Sequence, residues 1–187
     1  MSHGDRIENP HPVFARSPRR TVYPSPPLPT MSGQEEVSSK IIAKWREMDE
    51  GVIHIRHSST NAESKLQQSS SGFNFNPLCK PIEGETILTK SVNSCFIGTT
   101  LKEILDLKNC GTLVITGLTT DHCVSTTRMA SNYGYNCFLI SDATATFNRI
   151  GVNDETYDSE LVHFTALANL KDKFATILSS NELLKLL

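Results

Sequence analysis

The apolar positions of the chain fall into two regimes. Residues 1–33 contain no apolar run and carry seven of the nine prolines. From Gln34 onward, apolar residues recur with helical or strand spacing. Val37, Ile41, Ile42 and Trp45 mark one buried face and predict a helix over 34–48. Gly51 breaks it, and Val52 to Ile55 reads as a short β-branched strand. Residues 58–80 are polar and form a long loop, of the kind that is functional or mobile in a compact domain. Thr86 to Thr89 is a second strand, ending at Lys90. A helix capped by Thr99 or Thr100 runs to about Leu107, with Leu101, Ile104 and Leu105 inward. Leu113 to Thr116 is a third strand, and Gly117 to Asp121 connects it to a helix that Gly134 closes after Tyr133. Cys137 to Ser141 is a fourth strand. A helix over roughly 156–170, capped by Asp154 or a neighbour, a fifth strand over 174–178 and a last helix from Ser180 complete the chain.

Strands that are apolar throughout and alternate with helices imply a mostly parallel sheet covered on both faces, a three-layer α/β/α domain over residues 34–187. Residues 1–33 read as a proline-rich, poorly ordered segment, in which Arg20 to Tyr23 (RTVY) has slight β propensity. Right-handed crossovers place the C-terminal ends of the strands on one edge, where ligands of such sheets bind. Lys90, the 117–123 turn and Asp142 all fall at that edge.

Charge narrows the function classes. With 18 Lys and Arg against 20 Asp and Glu the net charge is −2, which argues against nucleic-acid binding. No apolar stretch is long enough to span a membrane, and the N-terminus lacks the apolar core of a secretory signal. Four early arginines give slight transit-peptide character, opposed by Asp5, Glu8 and the prolines. The five cysteines are odd in number and form no C-x-x-C, which fits reduced thiols in a cytoplasmic protein.

The segment TGLTTDHCV (Thr116 to Val124) leaves a strand and enters a helix, so Cys123 falls in the first helical turn. Unpaired N–H groups there favour a thiolate and can hold an oxyanion. The alternative reading is a small thiol filling a gap between helix and sheet. His122 is rejected as the base for Cys123, because successive helical residues do not face each other. His54, His57 and His163 are candidates by residue type only, and His54 reads best as a hydrogen-bonded strand histidine. His54 and His57 have no nearby carboxylate to complete a metal set, so no metal site is expected. Lys90 is either solvated or, beside a thiolate, a group that lowers the thiol pKa. Asp142 reads as a loop cap.

KSVNSCFIGTTL (Lys90 to Leu101) and TLVITGLTTDHCVSTTRMASNYGYNCFLISDATATF (Thr112 to Phe147) resemble the isochorismatase-like cysteine hydrolases. SELVHFTALANL with FATIL, and KWREMDEGVIHIRHSS, extend the resemblance over residues 34–187. It implies a Rossmann-like isochorismatase fold without cofactor or metal, and a homo-oligomer acting on a small-molecule substrate such as an amide or ester. It further implies Cys123 as nucleophile, Lys90 as its electrostatic partner, and a cis peptide at Leu118–Thr119. That bond would aim the Thr119 N–H, with that of Cys123, at the oxyanion. Substrate-contacting side chains are expected largely from the 58–80 loop and from a neighbouring subunit.

The family's opening strand, of the type LLVIDxQ, has no counterpart in residues 1–40. Its aspartate, the general base, is therefore expected to be missing. The strands at 52–55 and 113–116 are left to pair directly unless another segment, RTVY being the visible one, fills the gap. An alternative to an enzyme is thus a non-catalytic or shortened relative serving as an interaction or assembly module.

Overall fold

The computed structural model describes residues 11–13 and 33–187. A first strand, β1 (His11–Val13), is followed by helix α1 (Gln34–Glu47), strands β2 (Ile53–His57) and β3 (Thr86–Lys90), and helix α2 (Leu101–Leu107). Strand β4 (Thr112–Leu118), helix α3 (Thr120–Asn132) and strand β5 (Asn136–Ala145) come next. A hairpin of β6 (Arg149–Ile150) and β7 (Thr156–Tyr157), helix α4 (Ser159–Ala168), strand β8 (Thr176–Leu178) and helix α5 (Ser180–Leu186) complete the order.

The main sheet has the order β1-β4-β5-β8, all parallel, and β2 pairs with β3 in parallel beside it. The sheet is therefore mostly parallel, as the apolar strands imply. Helices α2, α3 and α4 cover one face, where Leu113, Ile115 and Leu139 meet Leu101, Leu105, Ala130 and Leu167. Helices α1 and α5 cover the other, where Val114, Phe138 and Ile140 meet Ile41, Trp45 and Leu183. The odd and even residues of β4 and β5 thus serve opposite cores, which is why these strands read as continuous apolar runs.

The first strand is the main departure from expectation. His11–Val13 pairs with Leu113–Ile115 and lies next to β2, so a segment other than RTVY fills the gap between β2 and β4. RTVY (residues 20–23), the segment expected to substitute, lies outside the described residues, as does most of the proline-rich segment. The sequence holds no Asp or Glu between Val13 and Glu35. Other differences are smaller. Strand β2 runs on to His57, and β5 extends to Ala145 through a register shift opposite Ile115 and Gly117. The hairpin of β6 and β7 takes residues expected to begin α4, so that helix starts at Ser159, capped by the Asp158 side chain accepting the Leu161 N–H at 2.8 Å.

Among the described residues no helix is long and apolar enough to cross a membrane.

Candidate active site

Strand β4 delivers the chain to α3 through an unusual backbone. Gly117 takes φ 121°, a region that side chains disfavour, the Leu118–Thr119 peptide is cis, and Thr119 is extended ahead of the first helical residue. Cys123 is the fourth residue of α3 and 7% exposed, with Sγ 3.5 Å from the Gly117 carbonyl oxygen and 3.9 Å from that of Thr116. Those two acceptors favour the protonated thiol. The positive end of α3 acts in the opposite sense.

Lys90 ends β3 and is 3% exposed, so it is neither solvated nor snorkelling. Its Nζ donates to the carbonyl of Val92 at 3.1 Å and to that of Asn93. Burying an ammonium costs several kcal/mol before compensation, and these carbonyls supply part of that compensation. One small cleft brings Lys90 and Cys123 together, lined also by Ile55 of β2, Leu118 of β4, and His122 and Thr126 of α3. Among the described residues, none that lines it belongs to the 58–80 loop, contrary to expectation, and none is a carboxylate. That loop packs elsewhere: the Arg56 guanidinium sits 4.0 Å over the Phe73 ring, and Phe75 makes an edge contact with His54.

The remaining polar candidates separate cleanly. His54 is fully buried, with Nε2 2.7 Å from a Glu85 oxygen that also takes a bond from Arg46. Burial pushes the His54 pKa down, against the opposing pull of Glu85. Burial also works to raise the Glu85 pKa, but the bonds from Arg46, the Ile82 N–H and His54 outweigh it and hold the group down at about 2. His54 is thus the hydrogen-bonded strand histidine expected of it. His163, also fully buried, lies 2.8 Å from the Thr120 hydroxyl and ties α4 to α3. Asp142 lies within β5 and accepts from the Ser180 N–H and hydroxyl at 2.7 and 2.6 Å, so it fastens the start of α5. Among the described residues no group of three or more His, Cys, Asp or Glu side chains could hold a metal ion.

Of the expected oxyanion donors, the Cys123 N–H is engaged within the helix. The N–H of Cys123 donates to the Thr119 carbonyl at 3.1 Å, inside the first turn, and the His122 N–H donates to the same oxygen at 3.0 Å. Sequence reasoning passed over two cleft residues. Cys95 lies in the connection after β3 and carries no periodic signal; it is held by Thr126, whose Oγ1 accepts the Cys95 N–H at 3.2 Å. His122 does not face Cys123 along the helix, yet both residues border one cleft, and the His122 ring packs 5.5 Å from that of His57. Asp121 is held on the β5 and β6 side, accepting from the Thr146 hydroxyl at 3.1 Å and from Arg149.

A model of the isochorismatase domain matches residues 27–182. The isochorismatase family protein YrdC of Bacillus subtilis is 49% identical over 151 residues, covering 80% of this chain and 81% of YrdC. Among solved structures, a hydrolase of the isochorismatase family from Chromobacterium violaceum superposes with a TM-score of 0.91 at 28% identity, covering 100% of this chain and 98% of that one. N-carbamoylsarcosine amidase from Thermoplasma acidophilum shares the fold, with a TM-score of 0.72 at 21% identity over 93% of this chain and 98% of its own. The thiol at the head of α3, the parallel sheet beneath it and these matches have one reading: the chain belongs to the isochorismatase family of hydrolases.

Proposed function

We propose that the protein is a cysteine hydrolase acting on a small amide, ester or related substrate, with Cys123 as nucleophile and Lys90 as its electrostatic partner. The observation that carries this is the shared burial of the Cys123 thiol and the Lys90 ammonium in one cleft at the sheet edge. An ammonium in a site of low polarity favours the thiolate far more than one in water would. The thiolate adds to the carbonyl carbon, the carbon–nitrogen or carbon–oxygen bond breaks, and water resolves the thioester. The Thr119 N–H beside the cis peptide serves the oxyanion, and the Cys123 N–H joins it if its bond within the first turn is shared. The likeness in fold to N-carbamoylsarcosine amidase supports a carbon–nitrogen bond as the target.

The reading includes a cytoplasmic homo-oligomer that needs no metal or cofactor. Ile150, Val152, Tyr157, Leu161 and Phe164 are exposed along the hairpin and the start of α4, which supports self-association. Light scattering after gel filtration measures it, and a monomer at micromolar concentration refutes it.

The test of the catalytic reading is a panel of small amides and esters, with intact-mass analysis for an acyl adduct. Turnover and an adduct on Cys123, both lost in Cys123→Ala, support it. No adduct and no turnover, with Cys123 alkylating no faster than a free thiol, would favour the assembly module instead.

A further inference from the structure

Hydrolysis of an amide needs two proton transfers that neither Cys123 nor Lys90 supplies. The leaving nitrogen must be protonated, and the water that resolves the thioester must be deprotonated. Among the described residues no carboxylate lines the cleft, and β1 is followed by no Asp or Glu until Glu35. The lining residues that exchange protons are Lys90, Cys95, Cys123 and His122. Only an imidazole among these both gives and takes a proton near neutral pH.

We infer that His122 is the acid–base group of this cleft and that His57 is the positioning residue for its ring. The inference rests on Cys123 being the nucleophile. The His57 ring lies 5.5 Å from that of His122 at a tilt of 59°. His57 ends β2 in register with Lys90, so this prop comes from the sheet itself and not from a loop. On the helix side, the Thr126 hydroxyl lies 3.0 Å from the His122 carbonyl oxygen and fixes the first turn that carries the ring. Among the described residues, His57 from β2 packs against the His122 ring, and Lys90 from β3, Cys95 from the following connection and Cys123 from α3 line the same cleft. Asp121, the preceding residue, is engaged by Arg149.

The proton balance closes without direct contact between His122 and the sulfur. The resting pair is a Cys123 thiolate and a His122 imidazolium. Attack forms the carbon–sulfur bond; collapse breaks the carbon–nitrogen bond, and the imidazolium proton goes to the departing nitrogen. The neutral imidazole then takes a proton from water, and the hydroxide adds to the thioester. Cleavage of the carbon–sulfur bond restores thiolate and imidazolium and releases the carboxylic acid.

p-Nitrophenyl acetate separates the two halves, because its leaving phenolate needs no proton whereas resolution of the acetyl-thioester needs the base. Stopped-flow measurements should show that His122→Gln and His122→Asn keep the acylation burst within about threefold of wild type. Both should slow steady-state turnover by at least about 100-fold, accumulate acetylated Cys123 by mass, and lose the rise of turnover with pH across the imidazole range. His57→Gln should keep the burst and shift that pH profile, which a purely structural prop would leave in place. Unchanged turnover in both His122 variants, or equal loss of burst and turnover in variants that melt like wild type, overturns the inference. If Cys123→Ala processes the ester as wild type does, the nucleophile reading fails and this inference with it.

Discussion

Lys90 and His57 are register partners, the last residues of two parallel strands, and Lys90 lines the cleft that also holds Cys123. The pairing fixes the ammonium on the sheet. Lys90→Met keeps the side-chain length and removes the charge. The Cys123 thiolate should then lose the support of the ammonium, and iodoacetamide alkylation at neutral pH should slow about tenfold. Timed labelling with peptide mass analysis checks it; an unchanged rate would mean that the helix terminus alone activates the sulfur.

Three of the four other thiols give an internal control. Burial pushes Cys79 and Cys110 up to about 11 and Cys137 up to about 12, and each is almost fully enclosed. In the native protein at pH 8 these three should stay unmodified while Cys123 is alkylated. Unfolding in guanidinium should expose all five cysteines at comparable rates. Labelling of Cys137 in the native state at the rate of Cys123 would contradict the burial described.

The long segments of this fold were legible because a core on each face makes β4 and β5 continuous apolar runs and gives α1 a helical stripe. What escaped was short or polar. Strand β1 has a proline at its centre, which removes a ladder donor and makes His11–Val13 unreadable as a strand; pairing to β4 makes it one. The apolar run of β2 ends at Ile55, before Arg56 and His57, so no sequence pattern marks His57 as the last residue of the strand. The buried stretch Ala143 to Thr146 alternates alanine with threonine, too small and mixed to read as an apolar run, so the extension of β5 was invisible too. At the site, Cys123 and Lys90 stood out through helix position and strand end, whereas Cys95 and His122 enter the cleft only through tertiary packing.

Glu85 joins α1 to β2 by accepting from Arg46 at 2.7 and 2.8 Å and lying 2.7 Å from His54. A carboxylate held at about 2 against an ordinary value of 4.5 favours the folded state above the unfolded pKa, and that contribution is lost as pH falls through the folded one. After allowance for solvent screening the contribution is on the order of 1–2 kcal/mol. Glu85→Gln should therefore melt several degrees lower at pH 7, with the gap from wild type closing between about pH 4.5 and pH 2. Calorimetry across that range checks the sign, and a gap that widened toward acid would reverse it.

The bond between Thr120 and His163 lies under the first turn of α3, with both side chains fully buried. Thr120→Val keeps the shape and removes the hydroxyl that bonds the imidazole. An unsatisfied buried polar group costs about 1–3 kcal/mol, and the melting temperature should fall accordingly. The same change loosens α3 at the residue that follows Thr119, so the acylation burst should fall with stability. His163→Gln, which can still pair with the Thr120 hydroxyl, should recover most of both. Chemical denaturation and burst kinetics on the two variants separate the outcomes. A Thr120→Val protein with lowered stability and a wild-type burst would mean that α3 is held at its head by the β4 turn alone.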